Sequence, residues 1–136
     1  MRHLLRENWL VILVLTVMVG GYVFLRTPGD DLASAAAFDE QVRGGRPTLV
    51  EFFSNTCGAC LMARPVVDGI ERDLQGEIDV LRLGVASGVG RELAIRYGVR
   101  SVPTLVLLDG NGEVVFKQSG VPRRAQVVEA AEQLTR

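Results

Sequence analysis

Cys57 and Cys60 are the only cysteines in the chain, and they enclose Gly58-Ala59 in a C-x-x-C pair. The run before them, Thr48-Leu49-Val50-Glu51-Phe52-Phe53, is β-branched and aromatic and reads as a buried strand with one acid in its middle. Ser54-Asn55-Thr56 breaks that pattern, and a helix can run from Gly58. Cys57 is thus expected at the tip of a helix, where free N–H groups and the positive end of the helix dipole favour an anion. Thiolate is the reactive form of cysteine. Cys57 should be acidified and exposed and act as the nucleophile. Cys60, one turn further in, should be more buried and act as the resolving thiol. A purely structural role suits the pair poorly, because a disulfide across two residues closes little chain entropy. A zinc site is equally poor: it needs about four ligands, and the only histidine is His3.

The elements that must hold these cysteines follow in order. Asp30 or Asp31 is placed to cap a helix through about Val42, ended by Gly44-Gly45. After the first strand, Leu61, Met62, Val66, Val67, Ile70 and Leu74 keep a helical spacing, with Pro65 expected to kink the helix and Gly76 to end it. A second strand over 78–85 leads to a flexible loop at 86–90 and a short helix over 91–97, closed by Gly98. The third strand, 104–108, and a returning strand, 113–118, flank the turn Asp109-Gly110-Asn111-Gly112. Pro122 suits the start of a last helix with Val127, Val128, Ala131 and Leu134 on one face. The order αβαβαββα implies an α/β domain with a central mixed sheet and helices on both sides.

Upstream, Asn8 to Leu25 is eighteen residues without a charge, preceded by Arg2 and Arg6. At about 1.5 Å per residue such a helix would span roughly 27 Å. The expectation is one N-terminal transmembrane helix in residues 1–26, N-terminus cytoplasmic, and an extracytoplasmic (periplasmic) domain in residues 27–136. The alternative is a signal peptide cut near Ala33-Ser34-Ala35 or Ala35-Ala36-Ala37, which secretes the domain. Residues 27–136 carry 12 Lys+Arg and 15 Asp+Glu, interspersed, with no basic stripe for nucleic acid.

Taken together, these residues resemble the thioredoxin family from about Phe38 to Leu134. Cys57, Gly58 and Cys60 match its active-site motif, and Pro65 matches its helix-kinking proline. Glu51 takes the place of its buried acid, and Val102-Pro103-Thr104 matches its cis-proline segment. Tyr97-Gly98-Val99, the turn 109–112 and Gly120 fall where the family has them. The sequence departs at Thr56, in place of a tryptophan, at Ala59, in place of a proline, and at Leu61, in place of a lysine. Glu51 is one methylene longer than the family's aspartate.

The resemblance implies a thioredoxin-like fold and a thiol–disulfide oxidoreductase. Its redox centre would be the Cys57–Cys60 disulfide, with no other cofactor and no metal. Glu51 would assist proton transfer at Cys60, although Arg82 on the neighbouring strand is a candidate to pair with it instead. Pro103 would be cis and leave the Val102 backbone free to meet a substrate strand. Thr56, Gly58, Ala59 and Gly120 would line the groove. The expected substrates are exported proteins with disulfides, and the expected electron source is a membrane thiol carrier. A disulfide oxidase or isomerase, a copper chaperone binding through the two thiols, and a redox-inactive docking domain are the alternatives.

Overall fold

The computed structural model describes residues 8–136. Arg2, His3 and Arg6, which bear on topology and metal binding, lie outside the described residues. The elements are α1 (Trp9–Leu25), α2 (Ala35–Val42), β1 (Thr48–Phe53), α3 (Gly58–Asp73), β2 (Asp79–Gly84), α4 (Gly88–Arg96), β3 (Thr104–Leu108), β4 (Val114–Ser119) and α5 (Arg124–Thr135).

The strands form one mixed sheet in the order β2-β1-β3-β4. β1 runs parallel to β2 and antiparallel to β3, and β4 returns antiparallel to β3. The two-residue period of a strand sends alternate side chains to opposite faces. Val50 and Phe52 of β1 therefore join Phe38 and Val42 of α2 and Leu93 of α4 in one core. Leu49 joins Val67 and Ile70 of α3 and Val127 and Ala131 of α5 in the other. Glu51 shares the second face with Leu49. Every residue of β1 and β3 is buried, which fits strands covered by helices on both sides.

Several boundaries differ from expectation. Ser34, not Asp30 or Asp31, caps α2, its Oγ accepting the Ala37 N–H at 3.1 Å. Asp30 is occupied elsewhere: its N–H donates to the Arg82 carbonyl at 2.8 Å, and its carboxylate accepts the Arg82 N–H at 2.7 Å. Of the expected loop at 86–90, residues 88–90 are instead the start of α4, capped by Ser87, whose Oγ accepts the Gly90 N–H at 3.0 Å. Gly90 is there because a Cβ would collide with the Gly84 carbonyl. α3 runs through Pro65 as one helix. The 109–112 turn forms as expected, with Asp109 Oδ1 accepting the Asn111 and Glu113 N–H groups, both at 2.9 Å. These donors hold the Asp109 carboxyl below its ordinary value.

The N-terminal segment also departs from the reading. α1 has 17 residues, about 26 Å at the usual helical rise. Among the described residues, no helix is long and apolar enough to cross a membrane. None of its residues is buried. The stretch after it is docked on the domain: Thr27 is buried, its N–H donating to Asn55 Oδ1 at 2.8 Å.

Candidate active site

The C-terminal end of β1 and the first turn of α3 build the site. Ser54-Asn55-Thr56 turns the chain between them. The Thr56 N–H donates to Ser54 Oγ at 3.4 Å, the two hydroxyls lie 3.0 Å apart, and the Cys57 N–H donates to the Ser54 carbonyl at 3.2 Å. The turn delivers Cys57 as the N-cap of α3 in an extended conformation. Its sulfur accepts the Cys60 N–H at 3.3 Å, filling the acceptor role usually taken by an N-cap hydroxyl or carboxylate. Its thiol donates to the Val102 carbonyl at 3.4 Å. Both cysteines are free; Cys57 is half-buried and Cys60 buried.

Burial, followed by the hydrogen bond to Cys57, pushes the Cys60 thiol up to about 11; the nearby charge of Glu51 acts in the same direction. At neutral pH Cys60 holds its proton. The two sulfurs thus differ in position as the sequence suggested, although Cys57 is less exposed than expected.

Glu51 lies deeper. It is 1% exposed, and its Oε2 has no hydrogen-bond partner among the described residues. In register it faces Arg82 of β2 and Leu105 of β3. The Arg82 Nε is 3.7 Å away, too long for a hydrogen bond but close enough for charge attraction. Arg82 spends its better contacts on α3, with Nη2 bonding Asp68 at 2.7 Å and Glu71 at 2.8 Å. Desolvation consequently outweighs the Arg82 charge, and the Glu51 carboxyl rises from its ordinary 4.5 to about 7. Glu51 therefore sits beside Arg82 and titrates near neutrality. Burial works against the Arg82 guanidinium, but the Asp68 bond and the charges of Glu51 and Glu71 outweigh it and keep it charged.

The Val102–Pro103 bond is cis. Pro103 is buried and its carbonyl accepts the Gly120 N–H at 2.8 Å; Gly120 has φ +87° and open space where a Cβ would stand. The Val102 carbonyl, expected to be free, is engaged by the Cys57 thiol. Thr56 and Gly58 line the cleft beside Cys57, whereas Ala59, Val102, Pro103 and Gly120 do not, and Ala59 is exposed. Sequence reasoning missed Asp68 and Glu71, whose signal was their one-turn spacing on α3 opposite Arg82. It also missed Tyr22, Leu25 and Thr27 of the N-terminal segment, which line the cleft. No local signal marked those three.

A thiol at a helix N-terminus, a second thiol behind it and a neutral-range carboxyl below define a dithiol redox site on an α/β scaffold. The thioredoxin family model matches residues 31–133. The thioredoxin of Synechocystis is 36% identical over 91 residues, covering 66% of this chain and 83% of that protein. The thioredoxin of Pseudomonas aeruginosa is 39% identical over 80 residues, covering 57% and 72%. The solved structure of Fasciola hepatica thioredoxin superposes with a TM-score of 0.64 at 27% identity, covering 76% of this chain and 96% of that one. The chain belongs to the thioredoxin family and is a thiol–disulfide oxidoreductase.

Proposed function

We propose that this chain is an extracytoplasmic reductase of disulfides in exported proteins, tethered to the membrane by its N-terminal segment. The observation that carries the catalytic part is the Cys57 sulfur at the N-cap of α3, receiving the Cys60 N–H while Cys60 stays buried and protonated. Negative charge on a sulfur at that point is met by the helix N-terminus. Cys57 thiolate attacks one sulfur of the substrate disulfide, forming a mixed disulfide and releasing the other sulfur as a thiolate, which takes up a proton. Cys60 then loses its proton towards Glu51 through water, and its sulfur attacks Cys57, breaking the mixed disulfide and expelling the second substrate sulfur as a thiolate that takes up a proton. The substrate leaves with two thiols, and the two electrons it gained leave a Cys57–Cys60 disulfide behind. That disulfide is the only redox group the cycle needs. A membrane thiol carrier returns two electrons and two protons to it.

The tether rests on α1. That helix carries no charged residue and buries none of its apolar side chains against the domain. A helix of that kind is stable in lipid and costly in water. A membrane-impermeant maleimide that labels the domain in intact cells supports the outward orientation; labelling only after lysis removes it.

The deciding experiment is the reduction potential of the Cys57–Cys60 pair, titrated against glutathione and dithiothreitol. Thioredoxins lie near about −270 mV and strong periplasmic oxidases near about −120 mV. The expected value lies below roughly −230 mV. A value above roughly −160 mV turns the reading to an oxidase or isomerase and removes the membrane electron donor. Cys57→Ser is expected to reduce disulfide turnover to the uncatalysed background. Retained turnover would refute the mechanism.

A further inference from the structure

We infer that the N-terminal segment forms one wall of the substrate groove, where Tyr22 and Leu25 select for an apolar residue beside the attacked disulfide. The inference rests on the oxidoreductase reading above and adds a specificity element to it.

A cleft of about 320 Å³ opens beside Cys57. The turn before Cys57, including Asn55, lines it with polar groups, while Leu61 of α3 and Tyr22 and Leu25 of α1 contribute apolar surface. Tyr22 and Leu25 are 64% and 54% exposed, so neither serves the core, and both remain free to touch a substrate.

Their position is held from three sides. The Thr27 N–H donates to Asn55 Oδ1 at 2.8 Å, and Asn55 Nδ2 donates back to the Thr27 carbonyl at 3.4 Å. Arg64 of α3 donates from Nη1 to the Phe24 carbonyl at 3.1 Å and to the Arg26 carbonyl at 3.3 Å, supplying partners to the carbonyls that a helix end leaves unpaired. Asp30 exchanges its two bonds with the Arg82 backbone. Asn55 lies two residues before Cys57, and Arg64 lies on the helix that Cys57 caps. The ties therefore fix the end of α1 to the same elements that position the nucleophile. A substrate strand presenting its disulfide to Cys57 brings the neighbouring residue against Tyr22, Leu25 and Leu61. An aliphatic side chain gains by burial there, and a carboxylate loses hydration without a partner.

The test uses the reduced full chain in lipid nanodiscs and two peptides, each closed by one disulfide. Both cysteines are flanked by Leu in the first peptide and by Asp in the second. The small aromatic disulfide DTNB is the third substrate. The wild type is expected to favour the Leu peptide in kcat/KM by about tenfold. Tyr22→Ala/Leu25→Ala should bring that ratio close to one. Val14→Ala/Met18→Ala, higher on the same helix and away from the cleft, should keep the wild-type ratio. The inference is overturned by a ratio near one in the wild type, by an unchanged ratio in the Tyr22/Leu25 variant, or by a ratio that falls equally in the Val14/Met18 variant. A wild type inert towards all three disulfides overturns the oxidoreductase reading itself.

Discussion

The two faces of the sheet are built to different rules. Towards α2 and α4, the buried residues are uncharged, from Phe38 and Val42 through Phe52 to Leu93 and Leu108, with Thr48 and Thr104 on the same face by strand alternation. Towards α3 and α5, β1 places Glu51 among Leu49, Leu105 and Leu107, with Arg82 beside it. The first face maximises burial of apolar area. The second gives some of that up, since a buried ion pair is commonly no more stabilising than the apolar residues that would fill its space. Cys60 and the helix that Cys57 caps lie on this second face. The cost is concentrated where the chemistry is, and the opposite face is left to hold the fold.

The largest expected effect separates the two thiols on the charged face. With its thiol raised to about 11, Cys60 is ionised to about one part in ten thousand at pH 7. Iodoacetamide at that pH should modify Cys57 alone, as read by peptide mass mapping. Cys57→Ser should react at least about a hundredfold more slowly than the wild type. Fast alkylation of Cys60 in that variant would mean that it is neither buried nor raised.

On the apolar face, Phe52→Ala removes a fully buried ring that packs 6.3 Å from the ring of Tyr97. The loss should be about 3–5 kcal/mol in urea unfolding, independent of pH between 5 and 8. Glu51→Gln on the other face should behave in the opposite way. The folded carboxyl titrates near 7 and the unfolded one near its ordinary 4.5, so between these values the folded chain holds a proton that the unfolded chain has released. Stability contributed by this group is greatest below about 4.5 and falls as pH rises through 7. The deficit above 7 is about 3 kcal/mol. Glutamine does not ionise, so the reduced variant should be more stable than the wild type at pH 8 by about 2–3 kcal/mol and level with it at pH 4.5. The same variant should lose the inflection near pH 7 in the rate of Cys60 resolution. A stability difference that does not change with pH would show that the Glu51 charge is already compensated in the fold.

What could be read from the sequence follows from the range of the interactions involved. β1 and β3 were legible because β-branched and aromatic runs covered on both sides carry their own signal, and the cysteine spacing placed Cys57 at a helix tip. The pairing of Glu51 with Arg82 was legible once the two strands were aligned. The cap of α2 was not: Asp30 and Ser34 are both good N-cap residues, and the choice was made by the bonds of Asp30 to Arg82, 52 positions away. The docking of Thr27 on Asn55 is likewise long-range, so the contribution of Tyr22 and Leu25 to the cleft had no local trace. At 88–90, the glycines that resemble a loop are helical, and one of them is required by packing rather than by flexibility.

That last point yields the smallest of the expected effects. Alanine is favoured over glycine inside a helix by about 1 kcal/mol, so helix propensity alone predicts that Gly90→Ala stabilises α4. Its Cβ, however, would meet the Gly84 backbone carbonyl and the Ser87 hydroxyl at distances that no real contact shows. Ser87 cannot yield freely, because its Oγ both accepts the Gly90 N–H and donates to the Gly84 carbonyl at 2.8 Å. α4 would have to move away from β2, loosening Leu93 and Ala94 in the apolar core. Overpacking of this kind costs about 1–3 kcal/mol, so the net change should be destabilising in urea unfolding. Gly88→Ala, two residues earlier with open space around it, should be neutral or slightly stabilising. The reduction potential should stay at the wild-type value in both, because α4 packs on the face that carries no redox group. A shifted potential in Gly90→Ala would show that the two faces are coupled through the sheet and that the division between them is not a division of labour.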